Sequence, residues 1–361
     1  MSKRTNVAAW QEKYKRWQIN VQKDGRRRSF YSSMPGRVGQ RDCHAKADMW
    51  LDDGIECTST KAADIFKEYI EDVKATTSKS NWLKVQSIWD NWIEPGIGRL
   101  KITNVTEHHL QSIINKAFAK GLAKKSLQNI RANIMAFIKY CRMRKVCTLF
   151  PEGLAIPKGA QEKGKSILQP DELAVLFDSD QTTYRAKPVM DKYINAYRFQ
   201  VATGLRPGEL MGLKWSDIDG NTVHIQRSIN YLREVTHGKN KNAVRKFVMS
   251  ALARDILDKQ CATFGCEYIF GDMNLQTYEK WWRRYREHNK ITVTLYELRH
   301  TFVSIIKRLP EGEVKTIVGH SKNMDTFGTY GHELHGEMKR TAQNIQSIFK
   351  DILSRKKKSV L

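Results

Sequence analysis

Ala202 to Asp219 reads ATGLRPGELMGLKWSDID. Thr203-Gly204-Leu205 makes a turn, and Pro207 takes the first position of a helix, where a missing N–H is no loss and a fixed φ is already helical. Glu209 falls in the first turn, beside the positive end of the helix dipole. Arg206 therefore stands at a helix N-terminus next to outward-pointing backbone N–H groups, where a fixed guanidinium can take two phosphate oxygens at once. On the octet from Thr203 to Leu210 alone, a second reading stands beside it: a turn residue before Pro-Gly.

Further along, Leu295 to Phe302 opens a helix whose apolar positions Leu298, Phe302, Ile305 and Ile306 keep helical spacing. Arg299 lies on it without an acidic partner four positions on, since position 303 is Val. Ile317-Val318-Gly319-His320-Ser321 then puts a histidine at a turn after an apolar run, and Thr329-Tyr330-Gly331-His332 follows. Taken singly, His320 reads as a cap or surface histidine and Tyr330 as a half-buried aromatic with a wet hydroxyl.

Taken in order, these fragments resemble the catalytic domain of tyrosine site-specific recombinases, the integrases of phages and conjugative elements. The stretch from Ala202 is similar to the family's first arginine box, LRHTF from Leu298 to its second, GHS from Gly319 to its histidine, and TYGH from Thr329 to its nucleophile. Between the arginine boxes, GKNKNAVRKFVMS from Gly238 resembles the family's β-hairpin segment, with Lys239 in the place of its lysine. The resemblance covers about residues 165 to 345. It implies that Arg206 and Arg299 clamp the non-bridging oxygens of a scissile phosphate, that His320 adds a donor, that Lys239 is the general acid and that Tyr330 is the nucleophile. A 3′-phosphotyrosyl intermediate then carries strand exchange, with neither metal nor nucleotide. The family's His-x-x-Arg is here Tyr296-x-x-Arg299. A tyrosine can hydrogen-bond a phosphate or a nucleophile, but with an ordinary pKa near 10 it is a poor general base at neutral pH. His300, adjacent to Arg299, is placed by helix geometry about 100° further round and is a poor substitute.

The remainder of the chain suits that reading. In 361 residues, 62 Lys and Arg against 38 Asp and Glu give a net charge of +24, a surplus that calls for an acidic partner. Hydrophobic residues at 40% exclude wholesale disorder. The six cysteines form no Cys-x-x-Cys pair and have no histidines at zinc-ligand spacing, so no metal site is expected. There is no secretory leader pattern, no apolar run long enough to span a bilayer and no Gly-x-x-x-x-Gly-Lys loop. A cytoplasmic protein acting on DNA in a bacterial host is expected, with no cofactor and no membrane partner.

Near the start, Trp17, Ile19 and Val21 alternate with polar residues, Asp24-Gly25 supplies a hairpin turn, and Arg28, Phe30 and Ser32 resume the alternation. A helix from Gln40 to Leu51 completes the unit. Arg26, Arg27 and Arg28 at the turn read either as a solvated charge run or as the rim of a groove-reading β-ribbon. Next come helical stripes: Ile65, Phe66, Tyr69, Ile70 and Val73; Trp82, Trp89 and Trp92; Ile113, Ile114, Ala117 and Phe118; Ile130, Ile134, Phe137 and Cys141. Their aromatics fit a core better than base stacking. Lys120, Lys124 and Lys125, among other basic residues on the opposite faces, suit a phosphate backbone.

The expected fold is multidomain, mainly α with small β-sheets: an arm-type DNA-binding domain over 1–56, a helical SAM-like core-binding domain over 58–150, a linker over 151–165, and a mixed α+β catalytic domain over 166–361. The linker is read from Pro151, Gly153, Pro157, Gly159 and Gly164. Within the last domain, a helix is expected from Asp171 to Phe177 and strands over Thr222–Gln226, Ile229–Val235 and Val244–Met249. The closing apolar stripe from Gly336 to Leu353 suits a helix that packs on its own chain or is exchanged with a neighbour. The resemblance further implies double-stranded attachment sites, a homotetramer on DNA and DNA-bending accessory proteins. A type IB topoisomerase-like relaxation activity and a non-catalytic DNA-binding relative remain the alternatives.

Overall fold

The structure is a computed structural model and describes residues 6–23, 26–53, 60–162, 164–236, 244–261, 267–319 and 336–358. The chain divides into two compact units, Met1–Lys163 and Gly164–Leu361.

The first unit holds two hydrophobic cores. An antiparallel sheet of Ala9–Gln11, Arg16–Lys23 and Arg26–Ser32 carries the helix Gly36–Asp53 on one face. Register pairs Ile19 with Phe30 and Val21 with Arg28, so alternation sends Ile19, Val21 and Phe30 inward against Cys43, Ala47 and Trp50. Gln18, Asn20 and Gln22 face away with Arg27, Ser29 and Tyr31. The helix begins four residues before the expected Gln40.

The second core belongs to helices Ala62–Thr76, Lys79–Ile88, Glu107–Ala119 and Lys124–Met143, with π-type turns over Trp89–Gly98. Phe66 stacks on Trp89 with centroids 3.9 Å apart, and Phe137 meets Trp89 edge-on at 5.0 Å. Trp82 and Trp92 are half-buried at the margin. The Pro- and Gly-containing stretch expected as a linker docks on this bundle instead. Leu154 and Ala160 are buried in its core, Glu107 accepts the Gly153 N–H, and Gln111 exchanges two hydrogen bonds with the Ala155 backbone. These side chains satisfy a backbone that has no regular partner.

In the second unit the helices Pro170–Asp178, Ile194–Thr203, Pro207–Met211, Ala251–Cys261, Leu275–His288, Glu297–Ile305, Glu311–Val318 and Glu337–Lys358 surround small sheets. One sheet orders Arg245–Val248, Thr222–Ile225 and Ile218–Asp219, all antiparallel. The strand expected over Ile229–Val235 is instead a tight hairpin of Ser228–Ile229 and Val235–Thr236. Asn230 causes the reversal: its side-chain oxygen accepts the N–H groups of Leu232 and Glu234, and Arg233 takes a positive φ. A second hairpin, Gln181–Tyr184 with Lys187–Met190, has no counterpart in the sequence reading. The Glu337–Lys358 helix packs on its own chain, burying Ala342, Ile345 and Phe349.

Among the described residues, no helix is long and apolar enough to cross a membrane.

Candidate active site

Every residue of Ile194–Thr203 except Asn195 is buried, and the helix ends on Gly204 with φ +67°. A Cβ there would lie 2.2 Å from Phe302 Cδ1, so both the left-handed turn and the close approach of the Glu297–Ile305 helix require glycine. The chain then extends through Arg206 into Pro207 and the short helix expected at that point. Glu209 closes the turn: its carboxylate accepts the Arg206 backbone N–H at 3.0 Å and Arg206 Nη1 at 2.6 Å.

Arg299 is 2% exposed, on the third residue of its helix, and reaches across to that turn. Its Nη1 donates to the Gly204 carbonyl at 2.6 Å and its Nη2 to the Val318 carbonyl at 2.5 Å. Arg206 Nη2 donates to the next carbonyl, that of Gly319, at 3.2 Å. The carbonyl before, Ile317, accepts Arg245 Nε at 2.6 Å. Three arginines from three distant segments thus take three successive carbonyls at the C-terminal end of the Glu311–Val318 helix. The physical reason is the helix end itself, which leaves its last carbonyls without intrahelical partners and carries the negative pole of the dipole. Gly319, at φ +63°, turns the chain out of the helix immediately before His320.

The cluster is strongly positive. Glu209, 3% exposed, is its buried counter-ion, taking Arg245 through both oxygens at 3.1 and 2.9 Å as well as Arg206. Burial works to raise the Glu209 pKa, but pairing with Arg245 and then with Arg206 holds it below the usual carboxylate value. Burial, reinforced by the like charges of Arg206 and Arg245, pulls Arg299 down to about 10, still protonated at neutral pH. Arg206 keeps a side chain 33% exposed, and its contacts use two of the five guanidinium N–H donors, leaving donors for an oxyanion.

Tyr296 stands just before the Arg299 helix, 44% exposed. The His300 ring meets it edge-on at 5.4 Å. The two are one helical turn apart, so the 100° offset of His300 from Arg299 brings it toward Tyr296 rather than away. His300 Nε2 is buried without a hydrogen-bond partner among the described residues, and burial, then the Lys165 charge, lower its pKa.

Lys239, His320 and Tyr330 lie outside the described residues. Arg206 and Arg299 are brought together; Glu209 and Arg245 join them without having been singled out from the sequence. Glu209 had a signal, a carboxylate three residues after Arg206 in the same box. Arg245 sat inside the segment quoted for the lysine hairpin but had no local partner to mark it.

In the first unit, Arg28 points to the core side of the sheet with its guanidinium 5.9 Å from the Phe30 ring centroid, whereas Arg27 is on the polar face, so the arginine triplet does not form one rim. Alternation of the strand separates them. Arg26 is at the start of the same strand. Lys120, Lys124 and Lys125 gather at the turn between Glu107–Ala119 and Lys124–Met143. Lys124 is paired with Glu162 at 2.5 Å, and Lys120 Nζ lies 5.3 Å from the centroid of the Trp92 ring.

Comparison with known proteins agrees with both units. Residues 166–337 match the model of the phage integrase family, and residues 63–118 match the N-terminal SAM-like domain of phage integrases. A tyrosine recombinase XerC-like protein of Caldanaerobacter subterraneus subsp. tengcongensis is 22% identical over 257 residues, 67% of this chain and 63% of the relative. The match therefore spans less than two thirds of that relative's length. The ICEBs1 integrase of Bacillus subtilis is 21% identical over 303 residues, 75% of this chain and 79% of the relative. Among solved structures, the Tn1549 transposon integrase in complex with transposon right end DNA superposes with a TM-score of 0.62 at 16% identity, covering 78% of this chain and 98% of that one. A lambda integrase from a tetramer bound to a Holliday junction gives 0.57 at 17% identity, over 90% of this chain and 95% of that one. At these identities the likeness shows the shared fold.

Proposed function

Because the chain belongs to the phage integrase family of tyrosine recombinases, we propose that it is a site-specific DNA recombinase that cuts and rejoins duplex DNA to integrate and excise a mobile element. The observation that carries this is the convergence of Arg206 and Arg299 on adjacent carbonyls, Gly319 and Val318, immediately before His320. A phosphodiester resists attack because it is an anion, and two fixed guanidiniums, one buried and one open to the approaching phosphate, offset the charge that builds as a nucleophile approaches. The Tyr330 hydroxyl gives up its proton to water and its oxygen attacks phosphorus, forming the Tyr330–phosphate bond and breaking the bond to the 5′ oxygen. Lys239 gives that oxygen its proton, and His320 adds a hydrogen bond to the phosphate. The phosphotyrosyl bond keeps the energy of the phosphodiester, so a 5′ hydroxyl from a second duplex can complete the exchange.

The same reading gives the first unit its role. The polar face of the N-terminal sheet, with Arg27 at its turn end and Arg26 at the start of its strand, contacts arm-type DNA, and the lysine cluster at Lys120 and Lys125 lies on core-site phosphates. Double-stranded attachment sites, a homotetramer and DNA-bending accessory proteins are the partners, and the bacterial cytoplasm is the compartment.

The test is a nicked suicide duplex made from the end of the element that carries the gene, incubated with wild type and Tyr330→Phe in EDTA and resolved on a denaturing gel. A covalent protein–DNA band is expected from the wild type alone, while both proteins shift the duplex on a native gel. Intact binding with no band from either protein would identify a non-catalytic relative.

A further inference from the structure

Arg245 has no part in the chemistry set out above, yet its side chain is only 6% exposed and every nitrogen of its guanidinium is engaged in the cluster. It donates through Nη1 and Nη2 to the two oxygens of Glu209 and through Nε to the Ile317 carbonyl. Glu209 is also the carboxylate that Arg206 Nη1 touches at 2.6 Å. One buried carboxylate therefore stands between two guanidiniums. If it had only Arg206, the pair would be nearly neutral, and the arginine nearest to solvent would bring little net charge to a phosphate. With Arg245 forked onto the same carboxylate, the trio carries a net charge of +1, and Arg206 keeps its attraction for an anion. A bidentate pair is also the stronger and more rigid of the two contacts, so it holds Glu209 against the Arg206 backbone N–H and fixes the turn.

We propose that Arg245 is a positioning residue for phosphate recognition, neutralising Glu209 so that Arg206 retains its charge for the scissile phosphate. The reading rests on the recombinase function above. Arg245 touches no substrate. It acts through Glu209, and through Ile317 it ties the strand Arg245–Val248 to the helix end that precedes His320. In sequence, that strand follows the segment bearing Lys239.

The experiment is a double-mutant cycle in the suicide-substrate assay with the full chain: wild type, Arg245→Met, Glu209→Gln and the double variant, each with its thermal midpoint measured. Loss of one phosphate-stabilising interaction of this kind slows cleavage about 100-fold, and that loss is expected for Arg245→Met. In the double variant the uncompensated carboxylate is gone, and cleavage is expected to return to within about 10-fold of wild type. A purely structural Arg245 gives the opposite pattern, a double variant no faster than Arg245→Met, and that result overturns the proposal. Where Arg245→Met does not fold, Arg245→Lys decides: it keeps the charge beside Glu209 and is expected to cleave within about 10-fold of wild type, whereas a folded, inactive lysine variant overturns the proposal. A wild type that forms no covalent complex removes the recombinase reading itself and is distinct from either outcome.

Discussion

At the residue scale the chemistry-bearing positions divide by the range of the interaction that reveals them. Arg206 was legible because Pro207 and Glu209 define a helix start within four residues, and the structure keeps that local logic. Arg299 was legible only through its box. The carbonyls that both arginines grip, Val318 and Gly319, are backbone groups, which carry no side-chain signature at all. Arg245 was illegible because its partners, the Glu209 carboxylate and the Ile317 carbonyl, are 36 and 72 positions away. Asp191 went equally unnoticed. It is 1% exposed, and its Oδ1 accepts the Tyr193 N–H at 2.9 Å. Burial pushes its pKa up to about 6, against the lowering effect of that N–H, of the Tyr197 hydroxyl and of Lys192 and Arg284. The folded state then binds more protons than the unfolded one between about pH 4 and pH 6, so stability falls as pH rises through that window and is level above it. A shift of this size corresponds to about 3 kcal/mol. Urea unfolding at pH 4.5 and 7.5 should show the decline in the wild type and lose most of it in Asp191→Asn. An unchanged slope in the variant would assign it to another group.

At the scale of elements, periodicity found the helices, while short strands and turns escaped it. The stretch Ile229–Val235, with Ile229, Tyr231, Leu232 and Val235, reads as one strand, yet Asn230 folds it into a hairpin by capping two backbone N–H groups. The Gln181–Met190 hairpin was hidden because its turn is Arg185-Ala186, both at positive φ, in place of the Asn-Gly pair that announces such a turn. The contact that sets the active-site geometry lies between two helices. Ile194–Thr203 and Glu297–Ile305 approach until Phe302 fills the space over Gly204, which lets Arg299 reach the Gly204 carbonyl. Gly204→Ala introduces a Cβ into that space at a left-handed φ, and is expected to cost at least about 2 kcal/mol of stability in urea unfolding. A loss below about 0.5 kcal/mol would show that the helices separate easily and that the approach is not what fixes the arginines.

At the scale of the whole molecule, the surplus of 24 positive charges pointed to a polyanion before any fold was known. Composition also suggested a linker near residues 151–165, and the contact boundary between Lys163 and Gly164 falls inside that range, while Leu154 and Ala160 are apolar enough to bury the earlier part against the helical bundle. Charge counting alone could not say which lysines are free to meet phosphates. Lys124 is paired with Glu162, whereas Lys120 and Lys125 are exposed beside it. Lys120→Ala with Lys125→Ala is therefore expected to weaken duplex binding similarly for all sequences, and to flatten the slope of log affinity against log salt by about 2. An unchanged slope would move the DNA path elsewhere on the surface. The central claim concerns one covalent bond, and it is tested most directly by digesting the trapped protein–DNA complex and sequencing the modified peptide by mass spectrometry. A nucleotide 3′-phosphate esterified to Tyr330 is the expected result; an adduct on any other residue, or cleaved DNA with no adduct, would contradict it.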